Sequence, residues 1–137
     1  MSRPKILIIE DNAADIELLR FALDRQGDYE LNVLQDGEEA LQFIAESRAG
    51  MHVPDPCVIL VDIHLPKYDG LQILEALKSD PALLHVQVIV LSSLASPEVR
   101  AEIHRKGALY RAKPVTLSDY LELGSEIFAV CKEVVYT

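Results

Sequence analysis

Short runs rich in isoleucine, leucine and valine alternate along this chain with longer segments in which apolar residues recur every three or four positions. The short runs are typical of buried strands, and the longer period is typical of amphipathic helices. A strand, a helix and a second strand in succession form a right-handed crossover within a parallel sheet, and helices then cover both faces of that sheet. The sequence therefore predicts an α/β fold with strands at 5–9, 31–34, 57–61, 86–91 and 108–112.

Capping and turn residues separate these strands from the helical segments. The predicted helices cover residues 13–25 and 97–106, follow Asp36-Gly37 and Gly70, and end with a last helix capped by Thr116 or Ser118.

Length and charge restrict the class of protein. A chain of 137 residues suits one domain, which we expect to span residues 1–137 with its core at about 5–132. No stretch approaches the roughly 18 apolar residues of a membrane span, and the first residues lack a signal peptide, so a cytoplasmic location is expected. The net charge of −9 argues against nucleic-acid binding.

Cys57 and Cys131 have no metal-ligand spacing, and we expect both to be reduced.

Polar side chains stand where the predicted strands end. Glu10 and Asp11 follow the first strand, Asp62 the third, Ser92 the fourth and Lys113 the fifth. In open parallel sheets the ligand site lies beyond the carboxyl ends of the strands, so these side chains should converge. Clustered carboxylates need a compensating cation, and Mg²⁺ typically takes one or two carboxylates together with waters and phosphate oxygens. The set predicts a site that handles a phosphoryl group.

Four motifs carry these side chains, and a fifth, Asp69-Gly70, lies between the second and the third of them. The four are Ile8-Ile9-Glu10-Asp11-Asn12, Val61-Asp62-Ile63-His64-Leu65-Pro66, Leu91-Ser92-Ser93 and Lys113-Pro114. In this order they resemble the receiver domains of two-component response regulators, and the resemblance extends over residues 5–132. The segments 10–18 and 78–81 are similar in particular to small, single-domain, phytochrome-associated regulators. The resemblance implies a single-domain, flavodoxin-like (βα)5 doubly wound parallel sheet with strand order 2-1-3-4-5.

The resemblance also implies a role for each side chain in a phosphorelay. Asp62 would be the phosphoacceptor, attacking the phosphohistidine of a sensor histidine kinase to form an aspartyl phosphate. Lys113 would neutralise one phosphoryl oxygen, and Ser92 would donate its hydroxyl to another. Movement of Ser92 would let Tyr110 turn inward, which would change a protein-interaction surface.

Magnesium is the cofactor that the resemblance implies, with Mn²⁺ able to substitute. Asp11 and Asp62 would bind the ion directly, and Glu10 would act through a bound water. The backbone carbonyl of His64 would complete the protein ligands, whatever the role of its side chain.

Other interpretations of the same residues remain open. Asp62 could be a turn former, Glu10 and Asp11 helix caps, Ser92 a cap, Lys113 a solvated lysine and Tyr110 an edge-strand packing residue. The alternative function is a receiver-fold interaction module that takes no phosphoryl group. A phosphatase of the haloacid dehalogenase type would need Asp-x-Asp after the first strand, and a flavodoxin would need a phosphate-cradling loop there, which an acidic pair opposes.

The expected partners are a sensor histidine kinase, of the phytochrome type if the closer likeness holds, an unidentified downstream protein, and a second copy of the chain. The homodimer is expected from the last helix, whose apolar surface is wider than one core-facing stripe. The side chains expected to face the sheet are Leu117, Leu121, Phe128 and Cys131. Those expected to face the partner are Tyr120, Ile127, Val130 and Val134.

Overall fold

The structure, a computed structural model, describes residues 3–51, 56–64, 69–93 and 95–135. Leu65 and Pro66 of the second motif, and the side chain of Val134, lie outside the described part. The strands are β1 (Lys5–Ile9), β2 (Glu30–Leu34), β3 (Val58–Asp62), β4 (Gln87–Ser92) and β5 (Leu109–Ala112). The helices are α1 (Ala13–Asp24), α2 (Gly37–Arg48), α3 (Gly70–Lys78), α4 (Pro97–Arg105) and α5 (Leu117–Val135), with a 3-10 turn at Pro81–Leu83. No helix in these ranges has the length and apolar character needed to span a membrane.

The strands form one parallel sheet in the order β2-β1-β3-β4-β5, as predicted. Every residue of the central strand β3 is buried, because apolar side chains cover it on both faces. Helices α2, α3 and α4 pack on one face through residues such as Phe43, Leu74 and Ile103. Helices α1 and α5 pack on the other through residues such as Leu19 and Ile127.

Side-chain caps fix where the helices begin, and so where the loops beyond the strands turn. Asn12 accepts a hydrogen bond from the backbone of Asp15 at 3.0 Å, and Asp69 forms a capping box with Gln72. Thr116 Oγ1 accepts from the Asp119 amide at 3.1 Å, which identifies Thr116 as the cap of α5. These caps hold the first turns of α1, α3 and α5 at the edge where the site lies.

The predicted division of α5 into a sheet face and a partner face is wrong in part. Tyr120 and Ile127 were assigned to the partner face, but they are buried in the core. Leu117 was assigned to the sheet, but 49% of it is exposed. The reason is that α1 packs along α5, where Asp15 contacts Tyr120 and Ala22 lies against Gly124, and that Ile127 belongs to the core on this face of the sheet.

The expectation that the two cysteines are reduced is also wrong in this structure. Cys57, just before β3, and Cys131 of α5 form a disulfide, with Cα atoms 5.1 Å apart. The bond joins residues 74 positions apart and ties α5 to the start of the central strand.

Candidate functional site at the carboxyl edge of the sheet

The ammonium of Lys113 is the centre of a charged cluster at the carboxyl edge of the sheet. Lys113 directly follows β5, and its Nζ lies 2.9 Å from Oδ2 of Asp62, 3.0 Å from Oε1 of Glu10 and 3.0 Å from Oδ2 of Asp15. Its backbone amide donates to the Ser92 carbonyl at 3.0 Å, which fixes the chain where the side chain departs. The parallel strands therefore deliver acids and an amine to one place.

The two buried carboxylates of this cluster, those of Asp62 and Glu10, are held in the same way. Asp62, the last residue of β3, accepts from Lys113 on one oxygen and from the His64 amide on the other, at 3.0 Å. Glu10 binds Lys113 through Oε1 and accepts from the Asn12 amide through Oε2, at 3.2 Å. An ammonium and a backbone amide thus orient both acids towards the same edge.

Glu10, Asp11 and Asp62 are grouped closely enough to share one cation. One carboxylate oxygen from each lies within 4.8 Å of the others, with Glu10 and Asp62 buried and Asp11 exposed. An all-oxygen donor set with an open, exposed side suits a hard divalent ion that keeps several of its waters. The prediction that these acids come together is confirmed.

Burial and neighbouring charges shift the pKa values of Glu10 and Lys113. Burial is the main cause that raises the pKa of Glu10 to about 7, and the neighbouring Asp62 raises it further while Lys113 opposes the shift. Burial alone would lower the pKa of Lys113, but hydrogen bonds to Asp62, Glu10 and Asp15 outweigh it and raise that pKa above its usual value. The ammonium therefore stays charged. The surrounding carboxylates outnumber it, so their remaining negative charge favours the binding of a further cation.

Ser92 and Tyr110 lie beside this cluster. Ser92 is fully buried at the end of β4, the strand between those of Asp62 and Lys113. The Tyr110 hydroxyl donates to the Ser92 carbonyl at 3.3 Å, and the Arg100 guanidinium lies 5.5 Å from the centre of the tyrosine ring. Tyr110 is half-buried, so it links the site to the surface formed by α4 and β5. The side chain of His64 is exposed, and the ligand role of its carbonyl stays a prediction.

Two residues of the cluster were not predicted from the sequence. Asp15 contacts Lys113, and its Oδ1 accepts from the buried Tyr120 hydroxyl at 3.1 Å. A signal was present for Asp15, since it lies in the first turn of α1, the helix that begins at this edge. Nothing in the sequence pattern distinguished Tyr120 from the other apolar residues of α5.

A family model for the response regulator receiver domain matches residues 6–123 of the chain. The chain belongs to the response regulator receiver family. Response regulator Rcp1 of Synechocystis sp. is 37% identical to this receiver over 89 residues, which are 64% of this chain and 60% of Rcp1. The polar-differentiation response regulator DivK of Brucella anthropi is 32% identical over 118 residues, 85% of this receiver and 89% of DivK.

Solved structures agree with this assignment. The phosphorylated cyanobacterial phytochrome response regulator RcpA is similar to this receiver with a TM-score of 0.83 and 29% identity, over 97% of this chain and 96% of RcpA. The Mn²⁺-bound form of Rcp1 gives a TM-score of 0.79 and 30% identity, over 92% of each chain. The fold, strand order and two-component signalling class expected from the motifs are confirmed.

Proposed function

We propose that this receiver accepts a phosphoryl group on Asp62 from a sensor histidine kinase and relays the signal through a protein surface. The observation that supports this most strongly is the set of contacts around the buried Asp62 carboxylate. Lys113 lies 2.9 Å away, and the carboxylates of Glu10 and Asp11 can share a cation with it. A carboxylate nucleophile beside a fixed ammonium and a cation-binding acid pair supplies what phosphoryl transfer requires.

In the proposed transfer, a carboxylate oxygen of Asp62 forms a bond to phosphorus as the bond from phosphorus to the kinase imidazole nitrogen breaks. The electron pair of the broken bond stays on the imidazole, and the product is an aspartyl phosphate. Lys113 would donate to one phosphoryl oxygen and the Ser92 hydroxyl to another. The chemistry of the chain is limited to its own phosphorylation and dephosphorylation, and positioning and charge neutralisation supply most of the acceleration.

Mg²⁺ is the proposed cofactor, with Mn²⁺ as a substitute. Asp11 and Asp62 would hold it directly, Glu10 through a water, and His64 through its backbone carbonyl. When bound, the ion supplies positive charge that offsets the charge of the phosphoryl oxygens. The two buried acids and one exposed acid fit this role, because they offer only oxygen donors and one open side.

The proposed output is a change in the surface formed by α4, β5 and α5. Ser92 would move towards the phosphoryl group, and Tyr110 is already tied to the Ser92 carbonyl at 3.3 Å. We therefore infer that the movement of Ser92 draws Tyr110 inward. The Arg100 guanidinium, which lies over the tyrosine ring, would then lose its place on this surface.

The kinase is proposed to be of the phytochrome type, because the phytochrome response regulator RcpA is similar to this receiver over 97% of the chain. We also propose that the receiver acts in the cytoplasm. In the cytoplasm, where thiols are kept reduced, the disulfide between Cys57 and Cys131 would be reduced for at least part of the time.

A homodimer is also proposed, although burial of Tyr120 and Ile127 leaves a smaller apolar surface for it. Val115 and Leu117, which are 87% and 49% exposed, form an exposed apolar surface just before and at the start of α5. Light scattering at tens of micromolar should give the mass of two chains, and Leu117→Glu should reduce it to one. A wild-type monomer at that concentration would contradict the dimer.

The phosphoacceptor proposal is tested by incubating the chain with acetyl phosphate and following the intact mass. We expect a gain of one phosphoryl group that requires Mg²⁺ and is absent in Asp62→Asn. Asp69→Asn is the matched control, because asparagine keeps the cap of α3 and the change in charge is the same. If the wild-type mass does not change, and beryllofluoride with Mg²⁺ leaves the tyrosine fluorescence unaltered, the chain is the phosphorylation-independent interaction module instead.

A further inference from the structure

Lys113 uses all of its hydrogen-bonding capacity in this structure. An ammonium has three donors, and the carboxylates of three residues lie at 2.9–3.0 Å from Nζ. A phosphoryl oxygen can therefore bind Lys113 only if one of these contacts is given up. Two of them, to Glu10 and Asp62, belong to acids that the proposed function already uses, and the third belongs to Asp15.

Asp15 is held independently of the other acids. Its Oδ2 contacts Lys113, while its Oδ1 accepts from the hydroxyl of Tyr120 at 3.1 Å. Tyr120 is buried between α1 and α5, and its own backbone amide donates to the carbonyl of the cap residue Thr116 at 3.1 Å. A chain of contacts thus runs from the phosphoryl-handling ammonium through α1 to the first turn of α5.

We propose that Asp15 is a positioning residue that holds Lys113 for phosphoryl transfer and is itself anchored by the hydroxyl of Tyr120. This inference rests on the proposed function and adds two residues to it. Without Asp15, the ammonium keeps its existing contacts to Asp62 and Glu10, and no third carboxylate draws it away from them. It then binds these two acids more tightly, neutralises the nucleophile and competes with the cation for the same oxygens, so phosphoryl transfer slows.

The test measures the phosphorylation rate with acetyl phosphate at saturating Mg²⁺. Loss of one charge-assisted hydrogen bond, from an acid whose side chain is 26% exposed, should slow Asp15→Asn about tenfold. Tyr120→Phe keeps the buried ring and all charges, and it should slow the reaction by roughly threefold through the lost hydroxyl. Glu17→Gln, an exposed change on the same helix, is the control and should react at the wild-type rate.

The double variant Asp15→Asn/Tyr120→Phe separates positioning from general destabilisation. If Tyr120 acts through Asp15, the double variant should react as slowly as Asp15→Asn alone. Rates that multiply, or an Asp15→Asn rate within twofold of the wild type, overturn the proposal. In both cases the wild type still takes up phosphate, so the proposed function is not affected.

A second measurement does not depend on phosphorylation or on the variants being active. The ammonium protons of Lys113, held by three carboxylates, should give a slowly exchanging signal in ¹⁵N-lysine NMR of the metal-free protein. We expect this signal to shift or broaden in Asp15→Asn and in Tyr120→Phe, and to stay in place in Glu17→Gln. An unchanged Lys113 signal in the first two variants would overturn the inference even if the chain accepted no phosphoryl group.

Discussion

Opening the Cys57–Cys131 bond should lower the stability of the fold by an amount that follows from the length of the loop. The bond closes a loop between residues 74 positions apart, and both cysteines are buried. Restricting the unfolded chain over such a loop stabilises the folded state by about 4 kcal/mol in the chain-entropy treatment. Since 1 kcal/mol moves the Tm of a domain of this size by about 3–5 °C, reduction should lower the Tm by roughly 15 °C.

The assay compares thermal unfolding of the same protein with and without a phosphine reductant, followed by circular dichroism. Reduction leaves the packing of both sulfur atoms in place, so the comparison isolates the bond better than a substitution does. The double variant Cys57→Ala/Cys131→Ala is the control, and its Tm should be the same with and without the reductant. Two free thiols in the unreduced, denatured chain, or a reductant-insensitive Tm in the wild type, would refute this reasoning.

Two further predictions concern the site itself. A Cβ on Gly70 would lie 2.5 Å from Cα of Ile63 and 2.8 Å from the Asp62 carbonyl oxygen. Gly70→Ala should therefore destabilise the fold by about 1–3 kcal/mol in denaturant titrations and slow phosphorylation. Gly124→Ala, whose Cβ would lie 3.1 Å from Ala22 of α1, is the control and should react at the normal rate. Equal rates in the two variants would argue against a role of Gly70 in placing Asp62. In EDTA, raising the pH from about 4.5 to about 7 should reduce the free energy of unfolding by up to about 3 kcal/mol relative to Glu10→Gln. The sign follows because burial raises the pKa of Glu10 in the folded chain to about 7, so the folded chain retains a proton that the unfolded chain releases. A free energy of unfolding that stays constant or rises with pH, relative to Glu10→Gln, would contradict this prediction. Mg²⁺ should make the decrease in stability smaller.

The sequence was sufficient to locate the site because its geometry follows from topology. Parallel strands end at one edge of the sheet, so residues that directly follow apolar strands must meet there. Glu10, Asp62 and Lys113 satisfy this condition, and their side chains are in contact in the structure. Strand order followed from the family resemblance, and the crossover rule left few alternatives to it.

What the sequence could not predict depends on contacts between elements that are distant in the chain. Helical periodicity shows that α5 has a wide apolar surface, but it does not show that Tyr120 contacts Asp15 of α1 or that Ile127 lies in the core. The disulfide was missed for the same reason, since a separation of 74 residues carries no local signal.

The central claim is that Asp62 is the residue that takes the phosphoryl group. Borohydride reduction of a phosphorylated sample converts an aspartyl phosphate to homoserine, which tandem mass spectrometry of the peptides can locate. We predict homoserine at position 62 in samples that contained Mg²⁺ and none in samples treated with EDTA. Homoserine at Asp11 or at another acid, with Asp62 intact, would contradict the account.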